Sequence, residues 1–550
     1  MAQTKVYACQ KSLLYEPVPE LHNDHFGVSV SFHGDFNGDG QSDLLIGGFN
    51  NPTSVQQQGL EPPEDLPGSA LSRAFLFLGT ATSPSTTPAL TFDGNGIRDQ
   101  FGVHVAFLND MTGDGRDELL VSAPNWPDQF TRTGRVYVFF GRADGTYAPG
   151  TSLVADVDAD IIIEGSVVGG RFGDALATTR LLDADNATDF LVGAPGTGYV
   201  PAAARPYPGK VYEFFGTGGD MLGAIAWVLG EPQTQPPFLL DAESAADKVL
   251  VGEADDDRFG QSLAIIGNID AQTGVEFAVG APQIKLETGA PREATGPGYV
   301  RVFNYLSDNA AFLHQFDGTQ FTGPAGGEAF GYAIAGGVDI GGGDLTNPLD
   351  GINDILIGAI LYDADFGTAN PIEDVGAVHV FSGASFARLL PGTGGEATLL
   401  RGEFQGNWFG FSIAGMPSKV GNPAFPDIVV GAARYGDARV TNVTCVPVPA
   451  TSGGCTGSQA GAVAGGVYLI DGATTTGLAA YLLIGERFKD SLGFTVAAGS
   501  FDSNGIAIVC GGPRWSTPCD QPTDCEPQTD PCPTETGRVY VFFADQLVLY

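Results

Sequence analysis

The chain has 550 residues, and its 26 Lys and Arg against 64 Asp and Glu leave a net charge of −38. That balance excludes a nucleic-acid partner, which Lys and Arg clusters would have to hold, and it opposes anionic membranes. Gly fills 79 positions without a Gly-X-Y period, which excludes collagen, while 43% hydrophobic and 10% aromatic residues mark a packed fold and not a disordered chain.

The first segment, MAQTKVYACQ, lacks the basic region and apolar core of a secretory signal. An exported chain is expected to have lost that signal, with Met1 added for expression. Further along, MLGAIAWVLG (221–230) is too short to cross a bilayer, so no membrane insertion is expected.

From Phe26 onward the sequence repeats. A Phe-Gly step opens each unit: HFGVSV at Phe26, QFGVHV at Phe101, RFGDAL at Phe172, RFGQSL at Phe259, AFGYAI at Phe330, WFGFSI at Phe409, and the variant SLGFTV at Leu492. A short apolar strand ending in small residues follows each step, as in LLIGG, LLVSAP and FLVGAP. An aromatic alternating strand comes next, as in RAFLFLG and GRVYVFFG, and a closing strand after it, as in ALTFDG, IIIEG and YLLIGE. Four short strands bounded by Gly and Pro make a small antiparallel sheet. One such sheet cannot bury both faces, whereas seven packed around an axis can.

The expected fold is therefore all-β, a seven-bladed β-propeller of four-stranded antiparallel blades. The blades start near residues 26, 101, 172, 259, 330, 409 and 492, and 1–550 form one domain. The Phe of each Phe-Gly step is expected to wedge between neighbouring sheets as core. The last unit, GRVYVFFADQLVLY, has little chain left for a fourth strand, and TKVYACQKSLLY belongs to no other unit. Residues 1–25 are expected to supply that outer strand and join the two ends of the chain.

Within the first unit, DFNGDGQSD (35–43) places acidic or amide residues at alternating positions around a glycine turn. Unneutralised, such side chains repel one another; a hard divalent cation, which takes six to eight oxygen ligands, removes the difficulty. Asp35, Asn37, Asp39 and Asp43 stand at positions 1, 3, 5 and 9, with Gln41 offering its carbonyl at 7. The second unit, DMTGDGRDE, repeats this with Asp110, Thr112, Asp114 and Glu118, and with Arg116 at the carbonyl position.

Phe-Gly, then this loop, then Gly-Ala-Pro, seven times over, resembles the FG-GAP repeat propeller of integrin α subunits across nearly the whole chain. The resemblance implies that the loops bind Ca2+, that they join the first two strands of a blade, and that ligands bind on the opposite face. In integrins the calcium blades come late in the propeller, whereas here the best loops come first.

The remaining loops depart from the pattern. In blade three Asp183, Asp185 and Asp189 are one residue too close. Blade four keeps Asn268, Asp270 and Glu276 but has Gln272 at position 5. Blade five has an insertion, with Asp350 and Asp354 at the final spacing and Asp339 or Asp344 to complete a site. Blades six and seven, with Asp427 and Asp502 alone, are expected to lack metal. Two sites, and up to five, follow. The cation is expected to be structural, since its binding free energy adds to folding and nothing in the loops demands an open catalytic position.

Seven cysteines are unevenly placed: Cys9, then Cys445 and Cys455 in one loop, then Cys510, Cys519, Cys525 and Cys532. The Pro- and Asp-rich segment CDQPTDCEPQTDPC lacks zinc spacing and a nearby histidine, which favours disulfides and an oxidising compartment. An odd count leaves one thiol over or pairs it between chains. No HExxH pair, Gly-x-Ser-x-Gly elbow or Walker loop occurs, so no enzyme is expected.

The variable loops 49–73, 125–133, 196–208, 283–297, 361–375, 434–464 and 513–536 should share one face and carry Trp126, Tyr199, Tyr207, Tyr362, Tyr435 and Trp515. These aromatics would either stack on a protein or glycan ligand or cover their own blades. The expectation is an extracellular or cell-surface adhesion or ligand-binding module. A carbohydrate-binding propeller, or a self-associating surface or filament subunit, stands as the alternative.

Overall fold

The computed structural model describes residues 4–7, 13–15, 25–49, 72–80, 84–96, 99–128, 130–179, 182, 188–196, 207–216, 237–269, 274–285, 293–305, 310–320, 327–340, 349–364, 373–387, 400–402, 405–418, 426–434, 465–471, 481–485, 491–500, 506–513 and 537–543. Seven antiparallel blades account for most of them. Blade one runs Ser29–Gly34, Asp43–Gly48, Arg73–Phe77 and Leu90–Asp93. Blade two runs Val105–Leu108, Glu118–Ala123, Arg135–Phe139 and Ile161–Glu164. The pattern recurs through blades three to six. Blade seven holds Thr495–Ser500, Ile506–Gly512 and Arg538–Phe543, and Leu13–Tyr15 pairs antiparallel with the last of these as its fourth strand.

Each first strand packs against the first strands of both neighbours, all the way round to Ser29–Gly34 against Thr495–Ser500. First strands therefore surround the axis. Seven of the apolar core clusters lie one at each blade junction. The period-2 alternation of a strand explains this division: in Arg135–Phe139, Tyr137 and Phe139 join blade one while Val136 and Val138 join blade three. Phe26, Phe101, Phe172, Phe259, Phe330, Phe409 and Leu492 are all buried wedges. Phe26 meets Phe75 edge-on at 5.2 Å, and Phe101 meets Tyr137 at 5.3 Å.

Glycine is required where adjacent blades touch. A Cβ on Gly47 would lie 1.9 Å from the carbonyl oxygen of Gly102 in the next blade, and one on Gly511 would lie 1.9 Å from that of Gly27. The same backbone contact thus joins blade one to two and blade seven to one.

The pairing of some blades goes further than four strands. Thr151–Val154 leaves blade two and pairs parallel with Leu90–Asp93 of blade one. Phe238–Asp241 leaves blade three and pairs parallel with Ile161–Glu164 of blade two. Thr4–Tyr7, just before the fourth strand of blade seven, pairs parallel with Tyr481–Ile484 of blade six. In all three cases the segment leading into a blade's fourth strand becomes the fifth strand of the preceding blade. In blades two and three a four-residue helix, Ala155–Asp158 or Ala242–Ala245, follows that strand. There an acid reaches back to the third strand: Tyr137 donates to Asp156 at 2.8 Å and Tyr212 to Glu243 at 2.9 Å.

Cys510 does not belong with the cysteines that follow it. It sits in Ile506–Gly512, fully buried in the junction of blades six and seven with a free thiol, and burial pushes that thiol up. The other six cysteines and MLGAIAWVLG lie outside the described residues. Among the described residues no helix is long and apolar enough to cross a membrane.

Candidate functional site

Strand direction fixes two faces. The loops between first and second strands, and those between third and fourth, emerge on one face. The Phe-Gly steps and the loops between second and third strands emerge on the other.

On the first face, loop 35–43 is wrapped around Asp35. Its Oδ1 accepts from the N–H groups of Gly38 (2.8 Å) and Asp39 (2.9 Å), its Oδ2 from Gly40 (2.8 Å), and Asp39 Oδ1 accepts from Gln41 N–H (2.8 Å). These are nested Asx turns, the way a short carboxylate holds its own backbone. Loop 110–118 is built the same way: Asp110 accepts from Asp114 (2.9 Å) and Gly115 (3.1 Å), and Asp114 from Arg116 N–H (2.9 Å). The Arg116 side chain also pairs with Asp114 at 2.5 Å.

Asn37 is buried; its amide donates to Asp144 of blade two at 2.8 Å, and its Oδ1 has no protein partner. A buried oxygen without a donor, in an all-oxygen set, fits a hard cation. Among the described residues no three His, Cys, Asp or Glu side chains are gathered for a metal ion, because the loop carboxylates turn to backbone N–H groups instead.

The closing carboxylates are the most regular feature of this face. Asp43, Glu118, Asp189, Glu276, Asp354 and Asp427 begin the second strands of six blades, and all six are buried. Asp43 accepts from Phe36 N–H (2.8 Å) and from Gly79 N–H beyond the third strand (2.7 Å). Asp354 does the same with Ile340 (2.6 Å) and Gly383 (3.2 Å), and Asp189 with Leu182 (3.1 Å) and Gly216 (3.3 Å). Glu118 accepts from Met111 and Glu276 from Ile269, each at 2.6 Å. Burial pushes both the Asp43 and the Glu118 carboxyls up to about 8, and the backbone donors only partly offset it.

Of the other expected ligands, Asp339 accepts from Gly351 N–H at 2.7 Å and Asp350 from Ile352 N–H at 2.9 Å, which brings both to the start of Asp354–Ala359. Asn268 is exposed beside Ile269. Asp183, Asp185, Asp270, Asp344 and Asp502 lie outside the described residues.

On the opposite face, the described loop aromatics lie against their own blades. Trp126 packs on the core of blades one and two with the Arg135 guanidinium 3.4 Å from its ring centre, and Tyr362 packs on the core of blades four and five. Tyr199, Tyr435 and Trp515 lie outside the described residues.

The residues flanking the Phe-Gly steps were not singled out from sequence, although their period marks them. The residue before each step, from His25 through Gln100, Arg171, Arg258, Ala329 and Trp408 to Ser491, takes a φ between 44° and 59°, a conformation that non-glycine residues adopt at a cost. The ring they form around the axis is unequal. In blades five to seven Tyr332, Trp408, Phe411 and Phe494 cluster, with Phe411 5.1 Å from Tyr332 and 4.8 Å from Phe494, and Arg434 4.5 Å over Trp408. In blade three Arg171 grips Asp174 (2.5 and 2.9 Å) and donates to Asn125 (2.6 Å). Burial alone would raise the Asp174 carboxyl; the Arg171 guanidinium overcomes it and holds the group below the usual range.

Comparison with known proteins follows this geometry. The FG-GAP repeat model matches residues 101–139, the first three strands of blade two. Integrin alpha-IIb of Mus musculus is 30% identical over 199 residues, which are 35% of this chain and 17% of that protein. Phosphatidylinositol-glycan-specific phospholipase D of Homo sapiens is 37% identical over 109 residues, 20% of this chain and 12% of that protein. The chain thus spans less than a fifth of the length of these relatives. A rhamnogalacturonan lyase of Bacillus licheniformis overlays 92% of this chain and 69% of its own with 12% identity and a TM-score of 0.33, too loose to bear on fold or chemistry. The repeat in sequence, the seven blades and these relatives together make the chain a seven-bladed β-propeller with an FG-GAP repeat match in blade two and a resemblance to integrin α subunits.

Proposed function

We propose that this propeller is an extracellular or cell-surface, non-catalytic adhesion or ligand-binding module whose blades one and two are stiffened by structural Ca2+. The carrying observation is the division between the faces: two like acid loops on one, an unequal ring of aromatic and guanidinium groups around the axis on the other. Asp35, Asn37, Asp39, Asp43 and the Gln41 carbonyl would hold one ion. Asp110, Thr112, Asp114, Glu118 and the Arg116 carbonyl would hold a second. Carboxylate oxygens carry further lone pairs beyond those given to N–H groups, so ion binding need not dismantle the turns. Calcium there supplies neutralising charge and no reaction step.

A protein or glycan ligand on the other face suits aromatic anchors beside fixed guanidinium groups. The ring is unequal from blade to blade, which favours one extended ligand over seven equivalent sugar pockets. The test is molar mass by light scattering, with thermal unfolding, in calcium and in chelator, followed by binding to arrayed glycans and cell-surface proteins. A monomer that loses stability in chelator and binds an arrayed ligand supports the proposal, as does loss of that binding in Trp408→Ala. Unchanged stability removes the calcium part. Calcium-dependent large species would replace the adhesion reading with assembly, and equivalent multisite glycan binding would replace it with a lectin.

A further inference from the structure

Asp117 belongs to no position of the ligand pattern, yet it touches both cation loops. Its Oδ2 accepts from Asp35 N–H at 2.9 Å and its Oδ1 from Asp110 N–H at 2.9 Å, so one carboxylate holds the first residue of each loop. Its own N–H donates to the Asp35 carbonyl at 2.9 Å. Around it the loop of blade one is docked on blade two at several more points. Arg142 N–H donates to the Phe36 carbonyl at 3.0 Å, Asn37 donates to Asp144, and a Cβ on Gly38 would lie 2.9 Å from Arg116 Cγ.

The corresponding position, just before the closing carboxylate, is Ser42, Thr188, Val275, Asn353 and Pro426 in the other blades that have one. Only in blade two is it acidic. A seventh carboxylate among Asp35, Asp39, Asp43, Asp110, Asp114 and Glu118 raises local repulsion, so a role in joining the loops is the reason to hold it there.

We infer that Asp117 couples the two calcium sites, so that filling one loop raises the affinity of the other; this rests on the calcium reading above. An ion in loop 35–43 orders the Asp35 backbone, which fixes Asp117, which fixes the Asp110 N–H. The second loop then binds with less ordering left to do, and by linkage the effect is the same in both directions. A coupling of about tenfold falls in the usual range for linked sites.

The test titrates the full chain with calcium chloride by calorimetry at about 1 M salt, where the screening length is about 3 Å and direct ion–ion effects are suppressed. Asp110→Asn leaves loop one alone, and Asp35→Asn leaves loop two alone. The product of the two binding constants in the unmutated chain should exceed the product of the isolated constants about tenfold. In the Asp117→Asn background, where one of the two N–H groups faces an amide donor, the excess should vanish. Equal products in the unmutated chain overturn the coupling even if Asp117→Asn does not fold, and so does an excess that survives Asp117→Asn. Uncoupled binding removes only this inference, whereas no heat of binding in any of the proteins removes the calcium reading with it.

Discussion

The first loops of blades one and five end alike and begin differently. Asp43 and Asp354 are both buried at the head of a second strand, and each accepts one N–H from its own loop and one from beyond the third strand. Only blade one adds Asp35, Asn37 and Asp39 ahead of it with the turn closed around Asp35. The shared part is therefore a device of the fold, a carboxylate that ties three strands together. The unshared part is what a cation would use. A closing acid by itself is poor grounds for expecting metal, since Asp189 performs the same task in blade three.

The largest effect that separates the two roles should come from Asp354→Ala. It leaves two buried N–H groups without acceptors, at about 1–3 kcal/mol each, and denaturant unfolding should show the loss equally in calcium and in chelator. A loss that appears only in calcium would mean that blade five holds an ion and that the comparison is wrong. Next, chelation of the unmutated chain should lower stability by about 2–3 kcal/mol per site at calcium a hundredfold above Kd. The double variant Asp35→Asn with Asp110→Asn should have lost that response while Asp354→Ala keeps it.

A buried carboxylate outside the cation loops offers a control. Asp99 accepts from Phe101 and Gly96 N–H, each at 3.0 Å, and burial pushes it up to about 6. The folded chain thus keeps a proton that the unfolded chain has released above its ordinary value near 4. Asp99 therefore lowers stability as pH rises from about 4 to about 6, by about 3 kcal/mol. Asp99→Asn should lessen the slope of unfolding free energy across that window by the same amount in calcium and in chelator, the remaining slope coming from raised carboxyls such as Asp43 and Glu118. The smallest effect on the calcium response should be that of Trp408→Ala on the opposite face. Losing the Arg434 stack costs about 0.5–1 kcal/mol and should leave the response to calcium unchanged.

Much of the fold was legible because its signals are local. The Phe-Gly period marks seven inward wedges, and the alternation in GRVYVFFG marks a strand with two apolar faces; both follow from side-chain geometry that holds wherever the strand lies. The fifth strands were not legible. Thr151–Val154 and Phe238–Asp241 are short, and their pairing to the preceding blade is a long-range choice that no propensity states. Cys510 misled in the opposite sense: it is close in sequence to three other cysteines, yet the strand carries it into the junction of blades six and seven.

At the candidate site the loops 35–43 and 110–118 stood out from their spacing, whereas Asp117, Asp144 and the ring of Trp408 and Arg171 did not. Sequence by itself determined that the chain closes seven small sheets around an axis and where along it the acids gather, because periodicity, glycine and buried aromatics act over a few residues. Tertiary structure alone decided which partners those acids take. A carboxylate looks the same in sequence whether it awaits a cation or already holds a backbone N–H. Only the approach of strands from neighbouring blades brings Asp117 between two loops and buries Asp43 against Gly79.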